Sequence, residues 1–210
     1  MSVEAQPFST LRQPPPGKMT YEEFLDWCDE DTLAEWVDGE VIMTSPASLP
    51  HQDLGDFLTA VLRIIVGRGK LGRIISAPFQ MRLRAVSRGR EPDILFVAKE
   101  HLDRLHRTYL DGPADLAIEI TSPESFARDR GDKFVEYEAA GVLEYWLLDP
   151  DRRRAEFYQL DENGRYRSIL SGDQGEYQCR VIPSLRLRVE WLWQEPLPDE
   201  LDLLRDLGIS

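Results

Sequence analysis

The chain has 210 residues, enough for one domain with a substantial core. Hydrophobic residues make up 42% and charged residues 30%, which fits a folded globular protein and excludes a disordered one. A formal net charge of −13 argues against binding a polyanion by bulk attraction, so any such contact has to come from local charge.

The N-terminal stretch MSVEAQPFSTLRQPPPGK has no basic segment followed by an apolar run, and no signal peptide is expected. Apolar patches such as Val61 to Val66, interrupted by Arg63, are too short to span a bilayer, so no membrane partner is expected. Cys28 and Cys179 stand outside any CxxC or Cys/His cluster, which signals neither a disulfide framework nor structural zinc. A reducing cytoplasm is the expected setting.

Residues 1–18, with the run Pro14 to Gly17, read as a mobile lead-in to a domain over 19–195. Residues 196–210 read as an acidic tail. Thr20 caps a short helix with Glu22 and Glu23 in its first turn and Phe24, Leu25 and Trp27 on its apolar side. Asp38-Gly39 lies between two short β-type runs, a hairpin signal, and Ser45-Pro46 breaks the second. From about His51 to Val66, Leu54, Phe57, Leu58, Val61, Leu62 and Ile65 mark one face of a helix that Gly67 and Gly69 are expected to end.

Gly72 to Val86 predicts a strand or strand pair, and Pro92 to Val97 (PDILFV) and Leu116 to Ile120 (LAIEI) predict buried strands. A short helix is expected around Lys99 to Leu105, a longer one from about Ala127 to Ala140 ended by Gly141, and a third buried strand over Glu144 to Leu148. Short β pieces over Ala155 to Leu160, Tyr166 to Leu170 and Leu185 to Val189, with Asn163-Gly164 as a turn, close the chain. The strand–helix–strand unit from Leu116 to Leu148 predicts a parallel crossover, hence an α/β fold with a mixed sheet flanked by helices and additional strands at both ends.

Charge is uneven along the chain. Between Arg63 and Arg90 stand Arg63, Arg68, Lys70, Arg73, Arg82, Arg84, Arg88 and Arg90 with no acid among them. That segment is either a solvated hairpin or the surface on which a nucleic acid docks, through Arg73, Arg82, Arg84, Arg88 and Arg90.

Two acids interrupt apolar strand runs, Asp93 in EPDILFV and Glu119 in DLAIEIT. A single such acid is most simply a hydrogen-bonded or strand-end residue. Two, with a lysine shortly after, supply the oxygen donors that a Mg²⁺ ion needs while it keeps its waters. No GxGxxG follows a strand, no GxSxG is present, and Gly67-Arg68-Gly69-Lys70 lacks Walker A spacing, which argues against dinucleotide, α/β-hydrolase and P-loop readings.

The motifs Glu-Trp-Val-Asp-Gly-Glu (Glu35 to Glu40), Ser45-Pro46, His51-Gln52, Glu-Pro-Asp-Ile (Glu91 to Ile94), Asp-Leu-Ala-Ile-Glu-Ile-Thr-Ser-Pro-Glu-Ser (Asp115 to Ser125) and the run from Asp132 to Pro150 follow one another in order. This succession resembles the Uma2 family, assigned to the restriction-endonuclease-like, or PD-(D/E)XK, nuclease superfamily. The resemblance covers roughly Met19 to Leu192. It implies a restriction-endonuclease-like core and a Mg²⁺- or Mn²⁺-dependent nuclease acting on nucleic acid, DNA first, as a homodimer. Asp93, Glu119 and the carbonyl of Ile120 would hold the metal. The usual lysine position is filled by Thr121, and the resemblance points instead to Lys133 on the following helix as the catalytic cation. Glu35 and His51 also match family positions and are candidates for a catalytic role; Glu40 matches too but reads as a residue facing water. A non-catalytic relative that keeps the fold and binds nucleic acid or protein is the competing expectation. Lys133 could alternatively form only a surface pair with Asp129 or Tyr137, contributing under about 1 kcal/mol. As a catalytic group, its removal is expected to cost turnover and to leave stability nearly intact.

Overall fold

The computed structural model describes residues 13–29, 32–43, 47–123 and 125–208. The Ser45-Pro46 break and most of the 1–18 lead-in lie outside the described residues.

Helix α1 (Tyr21–Trp27) opens on a capping box: the Thr20 hydroxyl accepts the Glu23 N–H and the Glu23 carboxylate accepts the Thr20 N–H. Strands β1 (Ala34–Val37) and β2 (Glu40–Met43) are joined by Asp38 and Gly39 at φ 51° and 92°, the positive pair that a tight type I′ hairpin demands. Helix α2 (Leu49–Gly69) runs past the expected window at both ends. It starts with Pro50 in its first turn, where the missing N–H is harmless, and stops at Lys70, which adopts φ 52°. Gly67 and Gly69 lie inside its last turn.

The 72–86 stretch splits. Strand β3 (Gly72–Ser76) and strand β4 (Gln80–Leu83) go to different sheets, and β5 (Arg88–Arg90) follows a 3₁₀ turn. Then come β6 (Ile94–Ala98), a 3₁₀ turn over Lys99–Arg104, β7 (Tyr109–Asp111) and β8 (Leu116–Ile120). The expected 127–140 helix is interrupted: α3 (Phe126–Arg128) passes into a π turn over Asp129–Lys133 before α4 (Phe134–Ala140), which Gly141 ends at φ 87°. Strands β9 (Glu144–Asp149), β10 (Arg154–Leu160), β11 (Tyr166–Gly172), β12 (Glu176–Gln178) and β13 (Arg186–Arg188) complete the β structure.

Among the described residues the central sheet is six-stranded, in the order β11-β10-β9-β8-β6-β3. Strands β8 and β9 pair in parallel, as the strand–helix–strand reading predicts, while β6 pairs antiparallel with β8. Every residue of β8 and β9 is buried, because both faces of the sheet are covered. On one face Ile94, Phe96, Leu116, Ile118, Trp146 and Leu148 pack against the apolar stripe of α2. On the other, Leu95, Val97, Ala117, Tyr145 and Leu147 meet Tyr137 and Val142 and, from a second sheet, Met81 and Leu83. That second sheet has five strands in the order β2-β1-β5-β4-β7. The chain end is not wholly a tail: α5 (Glu200–Asp206), capped by Asp199, buries Leu203 and Leu204 in the core shared with α2. No helix among the described residues is long and apolar enough to cross a membrane.

Candidate active site

A cleft of about 810 Å³ opens where the two sheets meet, lined by Glu35 of β1, His51 of α2, Asp93, Glu119 of β8, and Asp129 and Lys133 of the π turn. The β6–β8 register pairs Ile94 with Ile118 and Leu95 with Ala117. Asp93, in the bend just before β6, therefore stands beside the end of β8 that carries Glu119. Asp93 is fixed from both sides: its Oδ2 accepts the Ile120 N–H at 2.6 Å and its Oδ1 lies 3.2 Å from His51 Nε2.

Glu119 is 3% exposed, and both its oxygens are engaged. Tyr137 donates its hydroxyl to Oε1 at 2.6 Å, and Lys133 Nζ lies 2.9 Å from Oε2. The same ammonium lies 2.9 Å from Glu35 Oε1 and 3.4 Å from Asp129 Oδ1. Asp129 and Lys133, four apart on the π turn, are both buried, and the regular helix that follows keeps Tyr137 one turn further along the same face. Lys133 is 3% exposed, so it is not one half of a surface pair. Thr121, at the position where the superfamily pattern has lysine, is buried with its hydroxyl unpaired.

Glu35 reaches this cluster from the other sheet. Arg90 donates from Nη1 to its Oε2 at 2.8 Å, and Arg90 is itself clasped by Glu136 at 2.7 and 2.9 Å. Burial pushes the Glu35 carboxyl up, but Lys133 and Arg90 outweigh it and hold the group at about 2. Glu119 goes the other way. Burial, with Asp129, Asp93 and Glu35 nearby, holds it well above the ordinary carboxylate range despite the pull of Lys133. Burial works against a charged Lys133, and the carboxylates around it more than reverse that, so the ammonium stays charged. For His51, burial disfavours the charged ring, yet Asp93, Asp129 and the Ile120 carbonyl raise it. Glu91 is pushed up to about 7 by burial, against a hydrogen bond from Gln80. Glu40 is exposed on β2.

The arginine segment does not serve this cleft. None of Arg73, Arg82, Arg84, Arg88 and Arg90 lines it. Arg90 is 2% exposed and consumed by Glu35 and Glu136, so it cannot meet a phosphate. Arg82 pairs with Glu22, Arg84 binds Asp111 through two N–H groups, and Arg88 pairs with Asp38 and Glu136. Acids distant in sequence thus pair with Arg82, Arg84, Arg88 and Arg90, the part of the run that follows β3.

Seven carboxylates line the cleft against two permanent cations, Lys133 and Arg128. Asp93, Glu119 and the Ile120 carbonyl are hard oxygen donors, the kind a divalent ion such as Mg²⁺ takes while retaining several waters, so the residues fit such an ion by donor chemistry. Among the described residues no three His, Cys, Asp or Glu side chains are already grouped as a cation cage, which accords with Lys133 and Tyr137 holding Glu119. Asp129 is the residue that sequence reasoning passed over as a surface partner. It is 2% exposed, with Oδ1 lacking any hydrogen bond. Its spacing of four from Lys133 and eight from Tyr137 was the available signal.

A solved structure described as a "putative nuclease belonging to DUF820", from Anabaena variabilis ATCC 29413, matches this fold with a TM-score of 0.71. The match covers 83% of this chain and 97% of that one, at 18% identity. At that identity the likeness is one of fold, and it puts the protein among mixed-sheet α/β proteins. A family model described as "Putative restriction endonuclease" matches residues 21–190, and the chain belongs to that family, Uma2. No curated protein matches the chain.

Proposed function

We propose that the chain is a divalent-metal-dependent endonuclease that hydrolyses phosphodiester bonds of nucleic acid, DNA first. The observation that carries this reading is the buried Lys133 ammonium, 2.9 Å from a Glu119 carboxylate that shares its cleft with Asp93. Asp93, Glu119 and the Ile120 carbonyl would hold Mg²⁺ or Mn²⁺, which when bound supplies an activated water and charge neutralisation at the phosphate. The acidity of the cleft supports the requirement: its acidic side chains outnumber its cations, and they repel a phosphodiester until a cation reverses the local field. Lys133, kept charged and anchored by Glu35, orients the attacking water or steadies charge on the phosphorane. Tyr137 fixes the Glu119 carboxylate, and His51 fixes Asp93. The protein is further proposed to work as a homodimer.

The test is cleavage of supercoiled, linear, single-stranded and branched DNA with Mg²⁺, Mn²⁺ or chelator, beside Glu119→Ala. Metal-dependent cleavage lost in the variant is expected. A wild-type protein that cuts none of these substrates with either ion, or a variant that cuts as well as wild type, overturns the reading.

A further inference from the structure

Resting on the nuclease reading, we infer that the substrate strand reaches the cleft over a basic rim made by Arg128, Arg130 and Arg152, on the opposite side of the sequence from the 63–90 arginines. Three observations carry it. First, position: Arg128 lines the cleft, as do Ser125, next to Phe126, and Asp151, next to Arg152. Arg130 and Arg152 do not line the cleft themselves; each is the chain neighbour of a residue that does, Asp129 and Asp151.

Second, availability. Arg130 and Arg152 side chains are 44% and 59% exposed. Each gives one nitrogen to an acid, Arg130 to Glu156 at 2.6 Å and Arg152 to Asp149 at 2.7 Å. A guanidinium has five N–H donors, so most of each fork remains for a phosphate. Among the described residues Arg128 Nε has no hydrogen-bond partner, and it stands 3.8 Å from Glu35 and 3.9 Å from Asp129. Glu156 is shared between Arg130 and Arg154, so it engages only part of either fork.

Third, bracing. The Arg130 and Arg152 guanidinium carbons lie 5.7 and 4.5 Å from the centre of the Phe126 ring. A ring beneath a long side chain stiffens it, so less freedom is lost when it grips a phosphate. The partner that fits a row of braced, forked donors beside a metal-type carboxylate site is the phosphate backbone of a nucleic-acid strand.

Binding of a fluorescent 30-mer duplex to the full chain is measured in chelator across NaCl concentrations, for wild type, Arg130→Gln/Arg152→Gln, Arg130→Lys/Arg152→Lys and Arg82→Gln/Arg84→Gln. Turnover of supercoiled DNA and the melting temperature are recorded for each. Each phosphate contact contributes roughly 0.9 to the slope of log Kd against log[salt] on duplex DNA. The rim glutamine pair is expected to lower that slope by about 1.8 and weaken binding, with wild-type melting; the lysine pair restores both, and the 82/84 pair changes neither. A wild-type slope in the rim glutamine pair overturns the rim while wild-type binding and cleavage leave the nuclease reading standing. A loss caused by the 82/84 pair alone overturns it too. A wild type that neither binds nor cuts nucleic acid sinks the nuclease reading itself, and the rim with it.

Discussion

Replacing Lys133 by Met removes the one charge that three buried carboxylates share. Lys133 Nζ stands 2.9 Å from Glu35, 2.9 Å from Glu119 and 3.4 Å from Asp129. At an effective dielectric constant of about 20, a pair of charges ~3 Å apart interacts by roughly 5–6 kcal/mol. Desolvating the ammonium offsets part of this in the wild type, and in the variant Glu119 can take up a proton and limit the cost. Breaking a buried pair from one side costs about 3–5 kcal/mol. This contradicts the sequence-based expectation that stability survives the change, which assumed an accessible side chain. With a urea slope of about 2–3 kcal/mol/M for a chain of this size, the unfolding midpoint at pH 7 falls by about 1–2 M. The sign with pH follows from linkage: the variant's uncompensated carboxyls have raised pKa values in the folded state, which favours the fold at low pH and opposes it as pH rises. The gap to wild type therefore narrows at pH 5 and widens at pH 8. Adding Glu119→Gln recovers part of the loss, because the charge that lost its partner is then gone. An unchanged midpoint at pH 7 would refute the reasoning. Turnover, measured in the urea-free folded protein, falls by roughly two or more orders of magnitude on the catalytic reading.

Tyr137→Phe leaves Glu119 Oε1 buried without its 2.6 Å donor, which costs about 1.5–3 kcal/mol; urea unfolding coincident with wild type would contradict that bond. Glu91 has a folded pKa raised from 4.5 to about 7. The stability linked to this group is fully present below pH ~4.5 and lost as pH rises through about 7, so Glu91→Gln gains up to ~3 kcal/mol on wild type between pH 4 and pH 8. Midpoints that run parallel over that range would rule this out. A methyl group at Gly89 meets Tyr21 Cε2 at 2.3 Å and Trp36 Cβ at 3.3 Å; Gly89→Ala destabilises by ~1–3 kcal/mol, seen as a lowered melting temperature.

The central sheet was legible because β6, β8 and β9 are buried on both faces and read as mostly apolar runs. The hairpin was legible because Asp38-Gly39 suits a turn with two positive φ values. Asp93 and Glu119 stood out as acids inside such runs, and their closeness follows from the β6–β8 register. Three things were not legible. The spacing of four marks one shared face for Asp129, Lys133 and Tyr137, but a π turn leaves no period of its own inside a 14-residue helical stretch, and the burial of that face was hidden. Arg82, Arg84, Arg88 and Arg90 read as a free basic surface because Glu22, Asp38, Asp111 and Glu136, which pair with them, are 27 to 60 residues away in the chain. Leu203 and Leu204 were lost in an acidic C-terminal composition, though two adjacent leucines are enough to dock a short helix on α2.

Having the lysine on a helix and not beside Glu119 on the strand has a consequence for how the protein fails. A lysine borne by β8 would stay with its carboxylates for as long as the sheet lasted. Here the ammonium arrives only while the 126–140 segment is docked, held by Tyr137 on Glu119 and by the Tyr145 hydroxyl on the Asp129 carbonyl. A sub-global opening that peels this segment away, with the sheet untouched, parts the cation from both acids at once. Heat should therefore silence the protein before it melts it, and backbone amides of residues 134–140 should exchange with deuterium sooner than those of β8 and β9.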